Sequence, residues 1–126
     1  MIVGVGTDIV EIKRIKKSVE EHGEKFLNRI FTQTEIDYSS SKKNKFQHLA
    51  ARFAAKEAIV KALAKCCDNG FNWKDIEIYN DNNGAPQVRL FGKFADYVSD
   101  GKKIEISLSH SEEYAVAFAV LFYEKQ

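Results

Sequence analysis

The chain has only one proline and two cysteines among its 126 residues. The cysteines, Cys66 and Cys67, are adjacent. That spacing fits neither a disulfide that joins two separate elements nor a C-x-x-C redox or zinc pair. We therefore expect two reduced, structural cysteines. The formal net charge is only +1, which argues against a protein that is basic throughout and made to bind nucleic acid.

The N-terminal segment lacks the features of a secretory signal or a membrane span. Its apolar run, MIVGVGTDIVEIKRI, contains Asp8 and Glu11 and has no basic leader before it. We therefore expect no membrane association and a cytoplasmic location. The chain is long enough for one ordinary core and too short for two, and it has no repeat, low-complexity tract or linker. Residues 1–126 are expected to form a single domain.

Hydrophobic periodicity in the first half of the chain predicts one strand followed by helices. Gly23 suits a helix C-cap, and Thr32 with Glu35 three residues later forms a capping-box pattern. We expect a strand over 2–9 and helices over 10–22, 24–31, 32–41 and 46–64.

The second half of the chain is β-like and places most of its strands after position 70. Ile104, Ile106 and Leu108 alternate with polar residues, which makes His110 the next inward position. The run from Tyr114, YAVAFAVLFY, is continuously apolar, as in a strand covered on both faces. One strand, several helices and then antiparallel strands indicate an α+β fold. We expect strands over 73–79, 87–91, 104–110 and 114–123, with a short helix over 93–99.

The helix predicted over 46–64, FQHLAARFAAKEAIVKALA, has a carboxylate in its apolar stripe. At about 100° per residue, Glu57 falls in the same arc as the apolar positions of that stripe. These positions are Phe46, Ala50, Phe53, Val60 and Ala64. An unpaired buried carboxylate costs several kcal/mol. The pattern therefore predicts either a cation at Glu57, or Glu57 at the edge of the stripe and paired with Lys61 in solvent.

Asp8 closes the first predicted strand, two residues after Gly6. This arrangement is common at ligand-binding edges, but Asp8 could equally be the N-cap of the next helix. Together, Asp8 and Glu57 would supply two oxygen ligands to Mg²⁺, whose other positions are typically filled by water and substrate phosphate. Lys61, on the same side of its helix as Glu57, would then contact a phosphate. His110 is either a satisfied core histidine or a functional one.

The helix predicted over 10–22 has a basic flank that faces away from its apolar stripe. We use this name for Lys13, Arg14, Lys16 and Lys17. Such a run of charge is either a solvated surface or a surface that steers and docks an acidic partner.

Several segments resemble, in order and spacing, the motifs of bacterial holo-acyl-carrier-protein synthases, the small class of 4'-phosphopantetheinyl transferases. They are GVGTDIVEIKRI, RIFTQTEIDY, RFAAKEAIVKAL, GAPQV and ISLSHSEEYAVA, and they span nearly the whole chain. The resemblance implies an antiparallel sheet packed against a long central helix and shorter helices. It also implies a homotrimer whose active sites lie between neighbouring subunits.

The same resemblance implies transfer of 4'-phosphopantetheine from coenzyme A to a serine of apo acyl carrier protein, with release of adenosine 3',5'-bisphosphate, in support of fatty acid biosynthesis. It implies that Asp8 and Glu57 bind Mg²⁺ and that Lys61 contacts a phosphate. Ser109 and His110 would belong to the coenzyme A site. The base that takes the serine proton stays open among Glu57, a water on the metal and His110.

Acyl carrier proteins are strongly acidic, so the resemblance gives the basic flank a role as a docking surface, through Lys13, Arg14 and Lys17. Arg14 is expected to matter most, because its planar guanidinium pairs with carboxylates better than an ammonium does. One segment departs from the family pattern. After K-A-L the family usually has a Gly-Thr-Gly loop, whereas residues 64–70 read AKCCDNG. A backbone contact from that loop to the nucleotide is therefore in doubt, and Lys65 is a candidate replacement.

Two other functions use the same residues. A Mg²⁺-dependent pyrophosphohydrolase would place the carboxylates on a pyrophosphate and use water as the nucleophile. A non-catalytic module would bind an acidic partner through the basic flank, with Glu57 only structural.

Overall fold

The computed structural model describes residues 1–124 and confirms the α+β fold. The strands are β1 (Ile2–Glu11), β2 (Ile76–Asn80), β3 (Pro86–Leu90), β4 (Lys102–His110) and β5 (Tyr114–Tyr123). The helices are α1 (Ile12–His22), α2 (Glu24–Ile30), α3 (Gln33–Ser40), α4 (Lys45–Ala62) and α5 (Gly92–Tyr97). Short 3₁₀ turns follow α4 at Ala64–Cys67 and precede β2 at Trp73–Asp75. The segment predicted as strand from 73 therefore becomes extended only at Ile76.

The strands form two antiparallel sheets, one with the order β1-β5-β4 and one with the order β2-β3. The long helix α4 packs against β1 and β5 of the larger sheet. Gly4 and Gly6 allow this close approach, because a Cβ at either position would collide with the carbonyl oxygens of Ala62 and Ala58. The two glycines thus bring the end of β1, with Asp8, against the middle of α4, where Glu57 lies.

The start of α1 differs from the sequence expectation. Val10 and Glu11 pair with β5, opposite Ala115 and Tyr114, so the strand continues to Glu11 and the helix begins two residues later than position 10. The N-cap of α1 is Glu11, which makes no side-chain capping bond. The interpretation of Asp8 as the N-cap is therefore wrong.

The predicted caps at the other helix ends are confirmed. The Gly23 N–H donates to the carbonyl oxygen of Val19 at the end of α1. At the start of α3, the Thr32 N–H donates to Glu35 Oε1 (2.8 Å) and the Glu35 N–H donates to Thr32 Oγ1 (3.3 Å). This reciprocal pair is the capping box that the sequence predicts.

A buried ion pair, rather than Glu57, is the charged element in the core around α4. Lys56 and Glu35 are both completely buried, and Lys56 Nζ lies 2.7 Å from Glu35 Oε1. Lys56 also donates to the carbonyl oxygens of Ile30 (2.7 Å) and Trp73 (3.2 Å). Burial lowers the pKa of Lys56, and the Glu35 carboxylate opposes that effect.

Glu35 completes this network because it also accepts hydrogen bonds from the backbone. Its Oε1 accepts from the Thr32 N–H and its Oε2 from the Ile78 N–H, both at 2.8 Å. The pair therefore joins α3, α4 and β2 through groups that are all hydrogen-bonded. The predicted stripe of α4 is only half-buried at Phe53, Glu57 and Val60. The completely buried positions of the helix α4 include Ala55, Lys56, Ala58 and Ile59, which lie outside that stripe.

Residues 1–124 cover the strand β5 on one face only, so the expectation of two covered faces is wrong for this part of the chain. Its alternate residues Ala115, Ala117, Ala119 and Leu121 are buried against α4. The opposite side of the same sheet exposes apolar residues of β1 and β5. We call this the outer sheet face; its central residues are Val5, Ile9, Val116 and Phe118.

The two cysteines lie in the 3₁₀ turn after α4 as free thiols, as expected from their spacing. Each thiol donates to a carbonyl oxygen at 3.5 Å, Cys66 to Lys93 and Cys67 to Leu63. Burial raises the pKa of both thiols.

Within residues 1–124, no helix is both long and apolar enough to cross a membrane.

Candidate active site

Asp8 and Glu57 line the same cleft, as the sequence predicts. The cleft has a volume of about 320 Å³ and lies between the end of β1, the helix α1 and the middle of α4. Arg14 of α1 and Phe53 of α4 line it as well. The cleft thus combines two carboxylates, one guanidinium and an aromatic wall.

The negative charge in the cleft is incompletely neutralised. Burial, and then the neighbouring Asp8 carboxylate, raise the pKa of Glu57, while Lys61 and Arg14 act in the opposite direction. Lys61 Nζ lies 3.2 Å from Asp8 Oδ1 and also donates to the carbonyl oxygen of Thr7 at 2.8 Å. Lys61 therefore pairs with Asp8, and the predicted pair of Glu57 with Lys61 is wrong. Within residues 1–124, Glu57 has no ion pair.

This arrangement fits a divalent cation that takes oxygen ligands. Bringing Asp8 and Glu57 together disfavours the charged form of Glu57, and a cation between them would remove that penalty. In the described part of the chain, no three His, Cys, Asp or Glu side chains cluster as a ready-made metal site. Two carboxylates with water and phosphate in the remaining positions are typical of Mg²⁺.

His110 lies outside this cleft, at the end of β4. It keeps the predicted inward register, paired with the buried Ala115 and beside α4, but its side chain is exposed. The strand keeps its alternation, but β4 ends at His110 beyond the cover that half-buries Ile106 and Leu108. The His110 ring contacts Gln47 of α4 instead, with 2.7 Å between Gln47 Nε2 and His110 Nδ1. Ser109 is exposed on the opposite side of the strand, paired with Val116 of β5.

The basic flank is exposed on α1, as the sequence predicts. Arg14 lies on this flank and also lines the carboxylate cleft, which the sequence did not predict. Lys17 lies 3.9 Å from Glu21 in an exposed i,i+4 pair. The basic surface therefore extends from the outer side of α1 to the mouth of the cleft.

Sequence reasoning missed a second basic group on the neighbouring helix α2. This basic group consists of Lys25 and Arg29, which line a cleft of about 280 Å³ together with Phe26 and with His22 at the end of α1. Phe26 also lines the carboxylate cleft, so the two clefts adjoin at this side chain. The spacing of Lys25 and Arg29, four residues apart, places them on one helical face. That spacing was the available signal, but only the packing of α2 beside α1 joins the two basic surfaces.

Comparison with known proteins gives matches over nearly the full chain. A sequence profile of the 4'-phosphopantetheinyl transferase superfamily matches residues 4–119. A holo-[acyl-carrier-protein] synthase of Thermodesulfovibrio yellowstonii is 53% identical over 121 residues, which cover 96% of this chain and 99% of the relative. One of Protochlamydia amoebophila is 46% identical over 120 residues, with 95% and 98% covered.

Solved structures agree with these sequence matches. A holo-(acyl-carrier-protein) synthase of Bacillus anthracis in complex with CoA (3',5'-ADP) has a TM-score of 0.79 and 36% identity, and 99% of each chain is covered. A synthase of Neisseria meningitidis has a TM-score of 0.83 and 31% identity, with 97% of this chain and 99% of that chain covered. With its α+β fold and its cleft at the end of β1, the chain therefore belongs to the 4'-phosphopantetheinyl transferase superfamily.

Proposed function

We propose that the protein transfers 4'-phosphopantetheine from coenzyme A to a serine of apo acyl carrier protein and thereby supports fatty acid biosynthesis. The products are holo acyl carrier protein and adenosine 3',5'-bisphosphate. The observation that carries this proposal is the meeting of Asp8 and Glu57 in one cleft, in a chain whose full-length relatives are holo-[acyl-carrier-protein] synthases. A relative from Bacillus anthracis was solved in complex with CoA (3',5'-ADP).

The residues of the cleft have complementary roles in this reaction. Asp8 and Glu57 would hold Mg²⁺, which supplies neutralisation of the pyrophosphate charge. The serine oxygen attacks the β-phosphorus, and the bond to the bridging oxygen of the leaving bisphosphate breaks. Lys61 lies beside the cleft, 3.2 Å from Asp8, and would donate to a phosphate oxygen as charge develops there.

Product analysis tests this function against its two alternatives. The protein is incubated with coenzyme A and Mg²⁺, with and without apo acyl carrier protein, and the nucleotide products are separated by chromatography. A transferase releases adenosine 3',5'-bisphosphate only when the carrier protein is present, in equal amount with holo carrier protein. Release without the carrier protein, together with free 4'-phosphopantetheine, would show a pyrophosphohydrolase. No release in either reaction would leave a binding module.

We propose further that the protein is a homotrimer with active sites between neighbouring subunits. The outer sheet face supports assembly, because a contiguous exposed apolar surface of this kind marks an interaction site. Ser109 and His110 support the shared site, since both are exposed and neither lines the carboxylate cleft of its own chain. They would serve the cleft of a neighbouring subunit.

Phe118→Glu is expected to dissociate this assembly, because it buries a charge in an apolar interface. Light scattering coupled to size-exclusion chromatography should then give the mass of a single chain. Phe91→Glu is the matched control: Phe91 is 42% exposed and Phe118 45%, but Phe91 follows β3 and lies outside the β1-β5-β4 sheet. A trimer that survives Phe118→Glu, or one that is equally disrupted by Phe91→Glu, would contradict the proposed interface.

The acidic carrier protein would dock on the basic flank, through Lys13, Arg14 and Lys17, and on the adjoining basic group of α2. These exposed cations lead directly to the carboxylate cleft, so a carrier protein bound there could present its serine to the site.

The free thiols of Cys66 and Cys67 are typical of a reducing compartment and support a cytoplasmic location.

Arg14→Ala is expected to raise the KM for apo acyl carrier protein by about tenfold, the size of one charge-assisted hydrogen bond. Lys17→Ala should have a smaller effect, because Lys17 already lies near Glu21. Steady-state kinetics with the carrier protein varied at saturating coenzyme A measure both. The difference should shrink as salt is added. An unchanged KM in the Arg14 variant at physiological salt would refute its docking role.

A further inference from the structure

The orientation of the side-chain amide of Gln47, in the first turn of α4, follows from its two contacts. Gln47 Nε2 lies 3.2 Å from the carbonyl oxygen of Ser111 and 2.7 Å from His110 Nδ1. A carbonyl oxygen only accepts, so the amide nitrogen, and not the amide oxygen, must face Ser111. The same nitrogen has a second N–H, which is directed to His110 Nδ1.

Both anchors of this contact are held independently of His110. The Gln47 N–H donates to the carbonyl oxygen of Asn44 at 3.0 Å, within the first turn of α4. Ser111 begins a tight turn in which its N–H donates to the carbonyl oxygen of Tyr114 at 2.8 Å. Ser111 Oγ accepts from the backbone N–H groups of Glu113 (3.3 Å) and Tyr114 (3.2 Å). The turn at Ser111 therefore presents an acceptor to the Gln47 amide without any contribution from His110, and the amide nitrogen faces the ring as a donor.

This donor determines the tautomer of neutral His110. A ring nitrogen that accepts a hydrogen bond has no proton, so the proton of the neutral ring is on Nε2. The side chain is exposed, and within residues 1–124 no partner contacts Nε2. His110 therefore offers an N–H donor to a ligand, and its remaining lone pair is already occupied by Gln47.

We propose that Gln47 is a positioning residue that holds His110 as the Nε2–H tautomer. In this state His110 donates a hydrogen bond to an anionic phosphate oxygen of coenzyme A and does not take the proton of the attacking serine. The proposal rests on the proposed function. It removes His110 from the candidate bases and leaves proton uptake to the carboxylate cleft, where Glu57 lies.

The tautomer is tested directly by ¹⁵N NMR of the histidine rings in the full chain at about pH 9, above the usual range of imidazole pKa values. His110→Gln identifies the His110 signals among those of His22 and His48. We expect a protonated Nε2 and an unprotonated Nδ1 in the unsubstituted protein. Gln47→Glu should reverse this pattern, because a carboxylate only accepts and needs a proton on Nδ1. An unprotonated Nε2 before substitution, or an unchanged pattern in Gln47→Glu, would overturn the proposal.

Kinetics supply the functional measurement. Gln47→Met should raise the KM for coenzyme A by about threefold, and Gln47→Glu by about tenfold or more. These factors correspond to the free energy of one hydrogen bond to an anion. The changes in kcat should be smaller. Gln33→Met is the matched control, since Gln33 Nε2 donates to Asp37 on the exposed side of α3. An unchanged KM in both Gln47 variants would overturn the proposal. If the unsubstituted protein shows no transfer, the proposed function fails, and the NMR result still decides the tautomer.

Discussion

Glu57→Gln is expected to slow transfer severely while leaving the fold at least as stable as before. The substitution keeps the shape of the side chain and removes the charge that, with Asp8, would hold Mg²⁺. Loss of one such charged group that stabilises a transition state typically lowers kcat by about 10²- to 10³-fold. Stability should not fall, because Glu57 has no ion pair within residues 1–124 and its ionised form is disfavoured by burial and by Asp8.

The pH dependence of stability provides a second signature of the same residue. The pKa of Glu57 is raised in the folded state, so the ionised carboxylate lowers stability above that pKa and has no such cost below the unfolded value. The unsubstituted protein should therefore lose stability relative to Glu57→Gln as pH rises from about 4 to 7. Urea denaturation without metal measures this difference.

Glu20→Gln is the matched control for both measurements. Glu20 is exposed on α1 and does not line the carboxylate cleft. Its replacement should change neither kcat nor the pH dependence of the free energy of unfolding. Substantial transfer by Glu57→Gln, or a stability loss larger than that of Glu20→Gln at neutral pH, would contradict the assignment of Glu57 to the site.

Lys56→Met is expected to be among the most destabilising single substitutions in the chain. It leaves the completely buried carboxylate of Glu35 without its cation. Breaking one partner of a buried ion pair typically costs about 3–5 kcal/mol, a large part of the about 5–15 kcal/mol that stabilises an ordinary domain. The carbonyl oxygens of Ile30 and Trp73 also lose their donor.

Urea or thermal denaturation measures this effect, with Lys45→Met as the control. Lys45 begins the same helix but is exposed, so the same chemical change there should alter stability by no more than about 0.5 kcal/mol. A double variant, Glu35→Gln with Lys56→Met, should recover part of the loss because no uncompensated charge remains. Equal stabilities of Lys56→Met and Lys45→Met would show that the buried pair contributes nothing.

The secondary structure was largely predictable because its signals are local. The capping box of Thr32 and Glu35 and the cap at Gly23 involve residues within four positions of each other. It was not predictable that Lys56, and not Glu57, would be the completely buried charged residue of α4. The helix α4 is apolar on most of its surface and is covered on several sides, so periodicity does not distinguish a buried face from a half-buried one.

The run from Tyr114 shows a second limit of sequence reasoning. Both faces of β5 are apolar, which indicates cover on both sides. The described residues of the chain cover only the face with the alanines and Leu121. A single sequence does not mark which apolar face is reserved for another chain. The outer sheet face can therefore be identified as exposed only from the fold, although its apolar residues are evident in the sequence.

The candidate site was predictable in its residue types and not in its pairings. Asp8 and Glu57 were expected together, and they share a cleft. The pairing of Lys61 with Asp8 and the reach of Arg14 into the cleft depend on how α1 and α4 meet the end of β1. The close approach of α4 to β1 depends on Gly4 and Gly6, whose contacts with α4 are made at long sequence separation.

The most direct test of the central claim is the intact mass of apo acyl carrier protein after incubation with coenzyme A, Mg²⁺ and either the unsubstituted protein or Glu57→Gln. At a reaction time just long enough for the unsubstituted protein to convert the carrier protein, the account predicts a mass gain of one phosphopantetheine group with that protein only. It predicts no gain when the metal is chelated. No gain with the unsubstituted protein and several carrier proteins, or an equal gain with Glu57→Gln, would contradict it.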